Sequence, residues 1–203
     1  MPFGMAFGVA ASEAGLEVWQ ASAFSVLVFA GSAQFAAVDV IGDGGAAVAA
    51  VVAGLLLNMR FLAYGVVMAP ALDGPWWRRA LRSHWLIDET TAVGSTQEDP
   101  HWRRYGYLLT GALLFTTWNA STLFGAAVSA SAGDAIVDWG IDATIPAAFL
   151  ALLWPRLGAT DQRVTALVGG VVALALIPIA PPGIPISAAA VAVVAGWRVG
   201  GTR

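Results

Sequence analysis

The chain has 203 residues, 58% hydrophobic and 11% charged, with a net charge of −3. Average soluble domains are about 45–50% apolar and about 25% charged. The composition therefore excludes an ordinary cytosolic enzyme, a disordered chain and a nucleic-acid binder, which needs a basic face. A mean hydropathy of +0.73 leaves an integral membrane protein with several spans. At about 20 residues per span, about six or seven helices fit. There is no cysteine, which excludes disulfides and thiolate chemistry. Every basic residue is arginine.

Apolar stretches alternate with short polar joints. Residues 2–14 are short for a span and lack the basic start of a signal peptide. They are expected to be the second part of a helix whose start is missing. Further spans are predicted over residues 18–41 and 46–69, followed by a polar joint over 73–104. The remaining spans are predicted over 105–129, 142–154, 164–180 and 184–197. Alanine and glycine dominate throughout, which suits helices whose backbones approach closely. The apolar runs lack the alternation of a barrel. The expected fold is all-α: a polytopic membrane helix bundle, one domain over residues 1–203, with a broken helix near residues 30–34.

Orientation follows from arginine placement. Arg78, Arg79, Arg82, Arg103 and Arg104 sit in the joint after the third span. Arg156 and Arg163 flank the joint after the fifth, and Arg198 and Arg203 follow the seventh. These positions share one side, which the positive-inside rule makes cytoplasmic, together with the C-terminus. The opposite joints carry Asp39 and Asp43, then Asp134 and Asp138. Trp76, Trp77, Trp85 and Trp102 in the long joint, with Trp19, Trp139, Trp154 and Trp197 near helix ends, form an interfacial belt. Trp118 is the exception, at the middle of the fourth span.

Polar residues at membrane depth are costly and mark pathways or packing contacts. In the second span, Gly31 and Ser32 weaken the helix and Gln34 brings an amide to depth. A broken helix can turn freed amides and carbonyls toward a cavity; the plainer alternative is a packing notch with Gln34 bonded to a neighbour. In the third span, Arg60 lies about ten residues from the cytoplasmic end, roughly 15 Å along a helix. That is far for snorkelling, so an internal partner is expected. Asn58 beside it has the option of an interhelical hydrogen bond. In the long joint, helical spacing would stack His84 over Asp88. Asp88 and Glu89 together, in apolar surroundings, are the kind of pair that carries a proton or holds an ammonium group. Alternatively the segment is a solvated loop with Asp88 capping a helix. In the fourth span, Thr116 and Thr117 can bond back to their own helix, while Trp118 and Asn119 offer an apolar wall and a polar tip.

Soluble chemistry is missing. There is no phosphate-binding loop and no HExxH pair. Both histidines, His84 and His101, lie in the polar joint, which argues against an intramembrane protease. The reading is of a non-enzyme without cofactor or metal.

The stretch Val28-Phe29-Ala30-Gly31-Ser32-Ala33-Gln34-Phe35-Ala36-Ala37 resembles the most distinctive segment of the AzlC family. These are large subunits of branched-chain amino acid exporters. Leu57-Asn58-Met59-Arg60-Phe61-Leu62-Ala63-Tyr64-Gly65 resembles the family's second signature and Asp88-Glu89-Thr90 its third. Tyr105-Gly106, Trp118 and the opening Pro2-Phe3-Gly4-Met5-Ala6-Phe7-Gly8 are also similar. The likeness is collinear and strongest over residues 2–120.

The resemblance implies export of leucine, isoleucine, valine and methionine across the cytoplasmic membrane, driven by the proton-motive force, with a small AzlD-like membrane subunit. On that reading, amides near Gly31 and Ser32 receive the substrate carboxylate, and Gln34 and Asn58 orient it. Trp118 and Asn119 hold the side chain, and Asp88 or Glu89 takes the ammonium or the coupling proton. Arg60 is an ion-pair partner. The rival reading is a non-transporting scaffold subunit, in which the deep polar residues serve only helix contacts.

Overall fold

The computed structural model describes residues 2–132, 150, 153–180 and 184–200. Among them the regular structure is entirely helical, without a strand. In chain order the helices are α1 (Pro2–Glu13), α2 (Val18–Leu27), α3 (Gly31–Gly42), α4 (Ala47–Asn58), α5 (Arg60–Met68), α6 (Trp76–Ser83), α7 (Asp88–Ser95) and α8 (Pro100–Ala132). After these come α9 (Thr160–Leu176), α10 (Ile184–Ala189) and α11 (Ala192–Gly200).

The spine is α8, 33 residues long, or about 50 Å. Helix α1 lies along it with almost no side chain between the backbones. A Cβ on Gly8 would strike the Thr122 carbonyl and the Ala126 amide, and one on Gly125 would strike the Met5 backbone. The small residues do here what their abundance predicts. Beside this seam sits the first core, built from Phe7, Ala11, Ala21, Phe35, Val38 and Ala126. Phe7 meets the Phe35 and Phe24 rings edge-on at 5.5 and 6.0 Å and stacks on Trp118 at 6.5 Å. Such pairs add about 0.5–1.5 kcal/mol each to plain burial.

The second predicted span is two helices. Helix α2 ends at Leu27, and Ala30 is extended, with φ −154° and ψ 87°. The only local bond across the gap is Ala30 N–H to the Val28 carbonyl, 2.8 Å. Helix α3 restarts at Gly31, where the Trp118 indole lies so close that a Cβ would come within 3.0 Å of its ring. The third predicted span is also interrupted: α4 and the stretch Arg60–Ala71 meet at Met59 with a 42° bend. That bent pair has the length and apolarity to cross a membrane; no single described helix has both. In α8 length is not lacking, but Thr116, Thr117, Asn119, Ser121 and Thr122 lower its hydropathy. The break expected near residues 30–34 is present just before Gly31, and the third predicted span, expected to be continuous, is broken as well.

The polar joint folds back onto the bundle. Its helix α7 packs against α8 and α5, with Thr90, Thr91 and Gly94 buried. Met68, Ala71, Leu72, Leu86 and Tyr107 close a second core between these elements. The Tyr107 hydroxyl donates to the Arg82 carbonyl at 2.6 Å, tying the end of α6 to α8. Asp73, before α6, receives Arg82 at 2.6 Å and Arg104 at 3.0 Å. The fifth predicted span falls almost wholly outside the described residues. The sixth corresponds to α9, and the seventh is the pair α10 and α11, both packed on α9.

Candidate functional site

Three interruptions of helix meet at one point: the gap before Gly31, the bend at Met59 and the start of α7 at Asp88. The side chains at these breaks are joined. Arg60, the first residue of α5, donates from Nη2 to Ser32 Oγ at 2.8 Å and pairs with Asp88 Oδ2 at 2.9 Å. Tyr64, one turn further along α5, donates its hydroxyl to Asp88 Oδ1 at 2.5 Å. Both carboxylate oxygens are therefore held by α5. The guanidinium carbon also lies 5.5 Å from the Phe61 ring centre. The side chains of Arg60 and Asp88 are 35% and 24% exposed.

The exposure comes from a hollow of about 460 Å³. Phe3, Phe29, Phe35, Phe61, Leu114 and Trp118 make its apolar wall, and Ser32, Arg60, Asp88, Glu89, Thr117 and Ser121 border it with polar groups. That size and mixture, mostly apolar with few polar groups, is typical of small-molecule sites of about 300–1,000 Å³. The first ladder bond of α3 runs from Gln34 N–H to the Ala30 carbonyl. The amides of Gly31, Ser32 and Ala33 precede it and have no acceptor within the helix. Gly31 and Ser32 themselves line the hollow.

Of the residues picked out from sequence, Gly31, Ser32, Arg60, Asp88, Glu89 and Trp118 come together around this space. Gln34, Asn58 and Asn119 do not. Gln34 is fully buried on the other side of α3, where Nε2 reaches the Ser25 carbonyl at 3.4 Å. Ser25 in turn donates to Thr122 Oγ1 at 3.3 Å, so Gln34 belongs to a polar knot between α2, α3 and α8. Asn119 donates to the Phe115 carbonyl of its own helix at 2.8 Å. Asn58 closes α4 with a buried, unpartnered side-chain oxygen. His84 is not stacked over Asp88 as helical spacing predicts. Helix α6 stops at Ser83 and α7 starts at Asp88, so His84, just past the end of α6, shares no helix with Asp88. His84 Nε2 sits 2.8 Å from the Val26 carbonyl instead, covering the open end of α2. Asp88 is the first residue of α7, not its cap, which is Ile87.

Two contributors escape the sequence reading. Tyr64 falls within the second resembling stretch but is given no role there; its spacing, four residues after Arg60, puts both on one helical face. Phe29 lies in the extended gap, and its ring meets Phe115 at 5.2 Å. Nothing in an apolar run distinguishes such a position from an ordinary core phenylalanine.

The model of the AzlC protein family matches residues 1–131, which carry α1 to α8 and almost all of the hollow. An uncharacterised membrane protein of Archaeoglobus fulgidus is 30% identical over 200 residues, covering 97% of this chain and 88% of the relative. An uncharacterised membrane protein of Helicobacter pylori strain J99 is 30% identical over 90 residues, covering 44% of this chain and 40% of the relative. No solved structure matches the chain. The family match and the full-length relative agree with the composition: the chain is a membrane protein and belongs to the AzlC family.

Proposed function

We propose that the chain is the large subunit of a transporter that exports leucine, isoleucine, valine and methionine, and that its substrate occupies the hollow at the helix breaks. Family membership and the membrane-protein relatives support a transport role. The observation that carries the finer reading is the make-up of the hollow: broken helices and an ion pair border it beside an aromatic and aliphatic wall. A branched-chain amino acid has the same division, a zwitterionic end and an aliphatic end.

On this reading the amides at the start of α3 face the substrate carboxylate. Trp118, Phe29 and Leu114 enclose its side chain. The Asp88 carboxylate is engaged by Arg60 and Tyr64, which leaves Glu89 better placed to meet the ammonium. Gln34, Asn58 and Asn119 move to a supporting role. The chain works as a single transmembrane domain in the cytoplasmic membrane, its C-terminus inside, beside a small AzlD-like subunit. The proton-motive force drives export.

The test is efflux of labelled leucine from cells preloaded with a leucine dipeptide. Cells carrying this chain, the small subunit, or both are compared. Faster efflux with both, abolished by an uncoupler, is the expected result. No acceleration in any combination, with both proteins verified in the membrane, overturns the reading.

A further inference from the structure

Helix α6 has its apolar side turned away from the protein. At about 100° per residue, Trp76, Trp77, Ala80 and Leu81 share one half of the helix, and Arg78, Arg79, Arg82 and Ser83 the other. A globular helix with that division buries the apolar half. Here no residue of α6 is buried, and Trp76, Trp77 and Leu81 are 80%, 46% and 68% exposed. The segment is nonetheless held in place. Arg82 and Arg104 grip Asp73 from α6 and α8, and Tyr107 bonds the Arg82 carbonyl.

The arginines divide in the same way. Arg82 is spent on Asp73, whereas Arg78 and Arg79 have no carboxylate partner among the described residues. Arg78 lies over the Trp77 ring at 4.9 Å. Two unpaired cations therefore border an uncovered aromatic face. Trp102 and Tyr105, 57% and 53% exposed, are further uncovered aromatic residues at the start of α8. A helix of this kind, with a basic face and an aromatic one, lies flat in the interface of an anionic membrane.

We infer that α6 is an interfacial helix whose Arg78 and Arg79 bind anionic phospholipid headgroups while Trp76, Trp77 and Leu81 enter the acyl boundary. The inference stands on this surface alone and needs no particular transported substrate. It commits to a lipid: a free phosphate would use the arginines but leave the indoles uncovered.

The experiment uses the full chain in non-ionic detergent, with bound lipid measured by native mass spectrometry. Phosphatidylglycerol, phosphatidylcholine and inorganic phosphate are titrated in parallel. Phosphatidylglycerol is expected to bind tightest, and R78Q/R79Q to weaken it by about 25-fold, about fivefold per arginine. R78K/R79K is expected to retain most of the binding. W76S/L81S is expected to weaken both lipids without affecting phosphate. Equal binding of the two lipids, or unchanged phosphatidylglycerol binding by R78Q/R79Q, overturns the inference. Competition by phosphate at the lipid's own concentration also overturns it. One arm needs no variant and so survives a folding failure. Raising ionic strength from about 0.01 M to about 1 M shortens the screening length from about 30 Å to about 3 Å. The wild-type preference for phosphatidylglycerol must then collapse, and its persistence counts against the headgroup contact.

Discussion

Tyr64 and Arg60 stand one turn apart on α5 and take one oxygen each of the same carboxylate, that of Asp88 on α7. The relationship makes Asp88 the fastener between the bent third stretch and the folded-back joint. It also sets what each substitution should do.

Removing one partner of the Arg60–Asp88 pair leaves a charge at the hollow with nothing opposite. A fully buried pair broken this way costs about 3–5 kcal/mol. With the side chains 35% and 24% exposed, water screening reduces this to about 1–3 kcal/mol. R60Q and D88N are each expected to lower Tm in detergent. The double variant should lose less than their sum, with a coupling of about 0.5–3 kcal/mol. Strict additivity would show that the pair does not hold the fold.

Tyr64→Phe removes one hydrogen bond to a carboxylate, worth about 1.5–3 kcal/mol at full strength. The expected loss is at the lower end, because the Asp88 side chain is 24% exposed. Thermal unfolding of the purified variant measures it. A Tm equal to that of the wild type would mean Asp88 does not depend on the hydroxyl.

Gln34 gives the opposite expectation. Its oxygen is buried without a partner, and its nitrogen makes only a 3.4 Å contact. An apolar replacement removes the unpaired buried oxygen but also takes the donor from the Ser25 carbonyl, two effects of opposite sign. Gln34→Met should therefore change stability by less than about 1 kcal/mol and leave leucine efflux intact. Lost efflux at unchanged protein level would put Gln34 back among the substrate contacts.

At the α1–α8 seam, Gly8→Ala drives a methyl into the Thr122 carbonyl and Gly125→Ala into the Met5 backbone. Overpacking of this sort costs about 1–3 kcal/mol. Gly170→Ala is the control, since a Cβ there meets open space. The yield of monodisperse protein should fall for the first two and hold for the third.

Trp118→Ala removes the indole that lies on the α3 start and lines the hollow. Leucine efflux is expected to fall at least about tenfold, the effect of losing about 1.4 kcal/mol of binding. Methionine, which fills irregular space more readily, should suffer less. Equal efflux of both by variant and wild type would place the substrate elsewhere.

Much of this arrangement was legible in the residues. Gly31 and Ser32 announce a break because both disfavour a helix interior, and the chain does open just before them. Arg60 announces a partner because its charge cannot be removed. The bend at Met59 was not legible, since nothing around it except the polar Asn58 and Arg60 departs from a continuous apolar helix. Side also escaped the reading. Gln34 follows Ser32 by only two positions, which puts it on another face of α3, so it meets Ser25 rather than the hollow. Whether His84 would join Asp88 depended on the helix running on through Trp85 to Ile87. The chain turns there instead.

The glycine seam between α1 and α8 carries one more consequence. Backbones pressed together at Gly8 and Gly125 leave no slack for one helix to slide along the other. Phe3 on α1 and Trp118 on α8 line opposite parts of one wall, so they travel as a single body. Any cycle that exposes the hollow first to one side of the membrane and then to the other must be worked from across the cavity. There the chain is already jointed, at Met59 and at the gap before Gly31.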